Sequence, residues 1–134
     1  MATNDSAQPH TGREYHTEQV HYVSCPIVYT TLSYVIGRLP AGALVIDAAV
    51  VVTTGFAGGT PQTLDIGTTA DGDGFATALV ITSAGRKVAD ELATSDDLYI
   101  ATETNVTATL SAGATTSAGA GYVYVAYIMA NRGA

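Results

Sequence analysis

Tryptophan is absent from this chain, cysteine occurs once, and lysine and arginine together number five. Each shortage closes a class of explanation. A single thiol, Cys25, cannot form an intrachain disulfide, so folding does not require an oxidising compartment. Five cations against twelve acids leave a formal charge of −7. Such a chain repels the phosphate backbones that supply most of the affinity for nucleic acid. Anionic membrane surfaces are disfavoured on the same ground. No apolar run reaches the roughly 20 residues of a membrane-spanning helix, and the first ten residues lack the apolar stretch of a signal peptide. Synthesis and folding in a cytoplasm are therefore expected. Catalytic signatures are also wanting. There is no Gly-x-Ser-x-Gly elbow and no glycine loop opening a helix around a phosphate. We expect no enzyme and no cofactor.

What the chain does contain is β-forming sequence. Charged residues make up 13%, well under the usual ~25%, and Ala, Thr, Gly, Ser and Val take their place. Low charge means that much of the chain is core or that a partner covers much of its surface. At 134 residues a single domain can bury about 68% of its unfolded surface, enough to fold without staples. Residues 1–18 are rich in Asn, Asp, Ser, Gln and charge and read as an extended arm with no fold of its own. Residues 19–134 read as one domain.

Two-residue periodicity places the strands, because successive side chains on a strand point to opposite faces. Residues 27–36 form one long apolar run. Residues 43–54 follow, with Leu44, Ile46, Ala48, Val50 and Val52 expected on one face and Asp47 and Thr53 opposite. Leu64 and Ile66 alternate with Thr63 and Asp65, and Val106, Ala108 and Leu110 alternate with Asn105, Thr107 and Thr109. Residues 77–82 and 98–102 are shorter candidates. Residues 121–129 are apolar on both faces, as a central strand is. Turns are expected at residues 37–42, 55–61, 71–74 and 111–119, where Gly, Pro, Asn or Asp collect. The one helical spacing is at residues 86–93, with Val88, Ala89 and Leu92. Seven or eight short strands with regular turns predict an all-β, single-domain β-sandwich with jelly-roll connections.

Few residues have the types and spacing of a chemical site. Asp71 and Asp73 resemble the start of a calcium loop, whose alternate carboxylates converge on one ion. Phe75 stands where a third ligand belongs and no glutamate follows at the required distance, so an ordinary acidic turn is the expected reading. Asp96 and Asp97 complete such a site only if their loop meets this one. His10, His16 and His21 match no zinc spacing, although they would make an arm contact sensitive to pH. His21 and Cys25, four apart on a strand, lie roughly 13 Å from one another at about 3.3 Å per residue, too far for a thiolate–imidazole pair. Cys25 is expected to be a structural core thiol.

The eight tyrosines offer more. They are nearly the only aromatic residues, and a tyrosine must place both a ring and a hydroxyl, which suits core edges and interfaces. They crowd the early strands (Tyr15, Tyr22, Tyr29, Tyr34) and the last one (Tyr122, Tyr124, Tyr127). Core packing, a subunit interface and a sugar-stacking face all remain open. If they serve an interface, Tyr15, His16, Tyr22, Tyr122 and Tyr124 are its candidate residues.

The run Leu39-Pro40-Ala41-Gly42-Ala43-Leu44-Val45-Ile46-Asp47, followed by Val50-Val51-Val52-Thr53-Thr54-Gly55-Phe56, resembles a recurring segment of small tailed-bacteriophage virion proteins. Leu64-Asp65-Ile66-Gly67-Thr68-Thr69-Ala70-Asp71 is similar to the strand and loop that come next in that family. Ala84-Gly85-Arg86 and the tyrosine-rich last strand are similar as well, so the likeness covers most of residues 37–129. Members are decoration (cement), head or minor structural proteins. The resemblance implies a β-sandwich on a phage particle and carries no catalytic residue. It makes a capsid decoration protein the leading expectation: a homotrimer that binds the major capsid protein on the outer surface of the head. A head-fibre or tail-associated module that binds a cell-surface glycan is the alternative, since jelly rolls serve lectins too. Gly42 and Gly67 are expected at positive φ or at close backbone approaches.

Overall fold

The computed structural model describes residues 19–58, 62–96, 98–112 and 116–129. Among them the chain forms nine strands and no helix: β1 (His21–Val28), β2 (Ser33–Leu39), β3 (Ala43–Ala57), β4 (Gln62–Thr68), β5 (Ala76–Val80), β6 (Gly85–Val88), β7 (Tyr99–Ile100), β8 (Thr104–Ala112) and β9 (Ala118–Met129). They make two antiparallel sheets. One has the order β1-β9-β3-β6, with the short β7 pairing the start of β3, and the other has the order β2-β8-β4-β5. The expected residues 1–18 arm lies outside the described residues.

The core lies between the sheets. Ile27, Val45, Val50, Val52, Val123 and Val125 face Ile36, Leu39, Leu64, Ile66, Val106 and Leu110 across it. Phe56 and Phe75 are the largest fully buried side chains. The expected alternations in β4 and β8 hold, and β9 sits centrally between β1 and β3.

Four expectations need correction. Residues 27–36 are not one strand. The chain ends β1 at Val28, turns through Tyr29 to Leu32, and begins β2 in the other sheet. Thr31 N–H bonds the Val28 carbonyl, and the Tyr34 hydroxyl bonds both the N–H and the carbonyl of Val28 at 2.8 Å. Threonines at the corner satisfy β propensity without marking a turn, which is why the break was hidden.

The apolar face expected for β3 is only half right. The register of β3 on β9 shifts between Val45 and Asp47, a β-bulge that changes which side chains point inward. Before it Ala43 and Val45 are buried; after it Ala48, Val50 and Val52 are. Ile46 is exposed and Leu44 only half-buried.

Residues 86–93 form no helix. Arg86 to Val88 belong to edge strand β6, and the Leu92 region is a turn closed by the Ser95 N–H on the Glu91 carbonyl. A three-residue match to helical spacing carries little weight against a neighbouring strand with unpaired backbone groups. Finally, the turn at residues 37–42 is shorter than expected. Gly37, Arg38 and Leu39 continue β2, and the reversal is Pro40 to Ala43, closed by Ala43 N–H on the Pro40 carbonyl. Gly42 sits at φ 90° there, as a turn of that kind requires. Gly67 answers to close approach instead, since an added Cβ would lie 2.1 Å from the Asp71 carbonyl oxygen.

Candidate interface

Alternation in β9 sends Val123 and Val125 into the core and leaves Tyr122 and Tyr124 on the outer face. The antiparallel register sets their neighbours. Tyr122 lies opposite Val51 of β3 and Pro26 of β1, and Tyr124 lies opposite Ala49 and Ser24. Tyr22 falls diagonally from Tyr124, and the two rings meet edge to face with centroids 6.2 Å apart. Three of the five expected interface residues thus gather on one sheet face. Tyr22 is 65% exposed and Tyr122 55%. Tyr15 and His16 lie outside the described residues.

β6 adds a cation to this face. Its register puts Arg86 opposite Val51 and Val88 opposite Ala49. Ala49 has no side chain beyond Cβ, so the Arg86 side chain can cross β3 above it. The guanidinium Nε donates to the Tyr124 hydroxyl at 2.8 Å, and a terminal nitrogen donates to Asp47 at 3.1 Å. The guanidinium carbon also stands 5.9 Å from the Tyr124 ring centroid, within the range of a cation–π contact. The Tyr124 hydrogen bond, then the Asp47 charge, hold the Arg86 pKa above its ordinary value. Asp47 is itself oriented by the Ala48 N–H at 2.9 Å. Around this pair Ile46, Val51 and Val88 are exposed. The result is an aromatic and aliphatic patch with an arginine fixed in it.

The remaining tyrosines separate from the patch. Tyr127 turns inward against the core and stacks on His21, with centroids 5.4 Å apart. Tyr34 serves the β1–β2 corner, Tyr29 opens that corner, and Tyr99 lies on β7. Cys25 packs against the core and its thiol donates to the Pro26 carbonyl at 3.3 Å.

Asp71 and Asp73 do meet another acidic loop. Together with Glu91 and Asp96 they line one polar hollow beside Thr77 and Thr94. Among the described residues no three His, Cys, Asp or Glu side chains group closely enough to hold a metal ion. The backbone of Asp71 is engaged in the turn itself, its carbonyl accepting from Thr68 N–H and Gly74 N–H.

Sequence reasoning named the tyrosines but missed Arg86, Asp47, Val51 and Val88. These residues are distant in the chain and join only through the β3–β6 and β3–β9 registers. Two signals were available. Val50, Val51 and Val52 cannot all face the core of a strand, and Arg86 is one of five cations in an acidic chain.

No family model matches this chain, and no curated protein sequence does. Solved structures do match in fold. A chain of the cyanophage Pam1 capsid asymmetric unit aligns with TM-score 0.65 and 18% identity, over 83% of this chain and 85% of that one. A chain of the acidic stable capsid of Helicobacter pylori bacteriophage KHP30 aligns with TM-score 0.67 and 13% identity, over 85% and 91%. A chain of the capsid of Ralstonia phage GP4 aligns with TM-score 0.56 and 21% identity, over 81% and 84%. The nearly equal shares mean that those chains are about as long as this one.

Proposed function

We propose that the protein is a non-catalytic structural component of a phage virion, specifically a decoration (cement) protein. In this reading the outer face of the β1-β9-β3-β6 sheet seats on the outer surface of the head, against the major capsid protein. The observation that carries it is the exposed Tyr22, Tyr122, Val51 and Val88 patch, on a fold shared with chains of three phage capsids. An apolar patch with aromatic anchors and a fixed arginine is the composition of a protein interface. The strand order β1-β9-β3-β6 over β2-β8-β4-β5 supports reading the sandwich as a jelly roll, an architecture used by viral shells.

The mechanism is mechanical. A protein that binds only the assembled shell stabilises that state by mass action, by about 2.7 kcal/mol at a hundredfold excess over Kd. A homotrimer at local three-fold positions of the shell would multiply that contact through effective concentration. Residues 1–18 serve as an arm along a neighbouring subunit, and assembly takes place in the bacterial host cytoplasm.

Antibody labelling of purified particles tests this reading. Label spread over the head is the expected result. Label confined to the tail or to sparse fibres would overturn the decoration role and favour the glycan-binding module. A chain lacking residues 1–18 is expected to bind particles about tenfold more weakly while its melting temperature is retained.

A further inference from the structure

The free edge of β1 is closed at one end and open at the other. Among the described residues β1 is the outermost strand of its sheet and pairs with β9 alone. The Tyr29 N–H bonds the Gly119 carbonyl at 3.1 Å, in line with the β1–β9 register, which opposes Val28 to Ala120. In an antiparallel ladder hydrogen-bonded pairs alternate with non-hydrogen-bonded ones. Odd-numbered residues of β1 therefore bond β9, and the N–H and carbonyl groups of Tyr22, Ser24, Pro26 and Val28 point away from the sheet.

At Val28 both groups are taken by the Tyr34 hydroxyl, as a neighbouring strand would take them. Pro26 has no N–H, and its carbonyl accepts the Cys25 thiol. A proline is tolerated on an edge strand only where its missing donor faces outward, which agrees with the register. Among the described residues, no strand pairs with this edge at Tyr22 and Ser24. Half of the edge is blunted against strand addition and half is left available for it.

We infer that the open edge at Tyr22 and Ser24 accepts residues 13–18 of a second copy of this chain as an added strand. Three observations choose this occupant. The N-terminal segment outside the described residues is 18 long and runs into this same edge strand, and its last six residues reach up to about 20 Å from Gln19 when extended. Within it, residues 13–18 hold Tyr15 and Thr17 two apart and contain neither proline nor glycine, whereas Pro9 and Gly12 interrupt what precedes. The segment of the same copy does not return onto β1 through the tightest hairpin. The favoured two-residue hairpin turns use positive φ, and among the described residues Ala78, not Gln19 or Val20, is the non-glycine residue with it.

Each copy thus offers one segment and one open edge. Passing the segment from copy to copy links copies through repeated identical contacts, which form a ring where the rotation between copies closes. Recognition is through main-chain hydrogen bonds, the mode of strand addition. The inference concerns the isolated protein and stands or falls apart from its place on a particle.

Amide hydrogen exchange on the isolated full-length chain, read residue by residue, provides the test. We expect Tyr22 and Ser24 amides to exchange at least tenfold more slowly at concentrations where copies associate than at dilutions where they separate. The full-length Tyr15→Pro, Thr17→Pro variant is expected to lose that protection and the association together, with the melting transition retained. Ser24→Pro, which places a proline on the same outward parity as Pro26, is expected to weaken self-association at least tenfold. Fast exchange at both concentrations would overturn the inference. Protection that persists in the separated chain would assign the edge to the copy's own segment, and protection seen only on particles would assign it to a shell protein; either overturns it. Should Ser24→Pro fail to fold, the exchange measurement on the unaltered chain decides alone.

Discussion

The two outer faces of this sandwich rest on equivalent architecture and are made of different material. On the β1-β9-β3-β6 face Tyr22, Ile46, Val51, Val88 and Tyr122 are exposed around an Arg86–Asp47 pair. On the β2-β8-β4-β5 face the corresponding outward positions are Thr63, Asp65, Thr107, Thr109 and Ser33, with Val35 and Val80 the exposed apolar residues of its edge strands. The inner faces do not differ in this way, because both must supply the same apolar core. Core packing dictates one side of each strand and leaves the other unconstrained by folding. Where the unconstrained sides differ, use rather than fold explains the difference. Threonine and aspartate suit a face kept in water, whereas tyrosine, valine and arginine suit one that meets another surface.

This comparison can be broken at several strengths. Its largest effect belongs to the shared core. Phe75 is fully buried, and Phe75→Ala is expected to cost about 3–5 kcal/mol of stability in chemical denaturation. Tyr122→Ala on the outer face should cost within about 0.5 kcal/mol. If the two cost the same, the division between core and interface is wrong.

Next come opposed substitutions on the outer faces. Val51→Asp with Tyr122→Asp is expected to reduce particle binding by about a hundredfold, near the sum expected for two central anchors of about 1–2 kcal/mol each. Thr107→Asp with Thr109→Asp on the other face should change it by less than about threefold in the same sedimentation assay. A smaller effect is expected for Arg86→Ala, about tenfold in binding, because the side chain is exposed and screened while it orients Tyr124. Arg86→Lys should not restore binding, since a lysine cannot donate in one plane to both Tyr124 and Asp47.

The least effect is expected from pH. The Arg86 pKa is raised above its ordinary value. A group raised in the folded state contributes stability that is fully present below its unfolded value and is lost only as pH climbs through the folded one. Particle binding measured between about pH 7 and pH 9 should therefore show no change attributable to this arginine.

The sequence made β4, β8 and β9 legible because each keeps one phase from end to end, as Leu64 and Ile66 or Val123 and Val125 do. It concealed β1 and β2 because the chain changes sheet through Tyr29 and Thr30 without a glycine or proline to mark it. It concealed the phase of β3 because the bulge at Ile46 is a property of pairing with β9 rather than of local composition. The exposed patch was legible in kind, through tyrosine crowding at Tyr22, Tyr122 and Tyr124. Its extent was not, since Arg86 reaches Tyr124 across 38 positions and only the strand order brings them together.

The central claim is that the tyrosine-bearing face is the buried contact on a phage head. Residue-resolved chemical footprinting of tyrosines, in the free protein and on purified particles, tests it most directly. Tyr22 and Tyr122 are expected to react readily in the free protein and to be protected on particles, with Tyr29 and Tyr99 reacting alike in both states. Reaction of Tyr22 and Tyr122 at the free-protein rate while the protein sits on the particle would contradict the account.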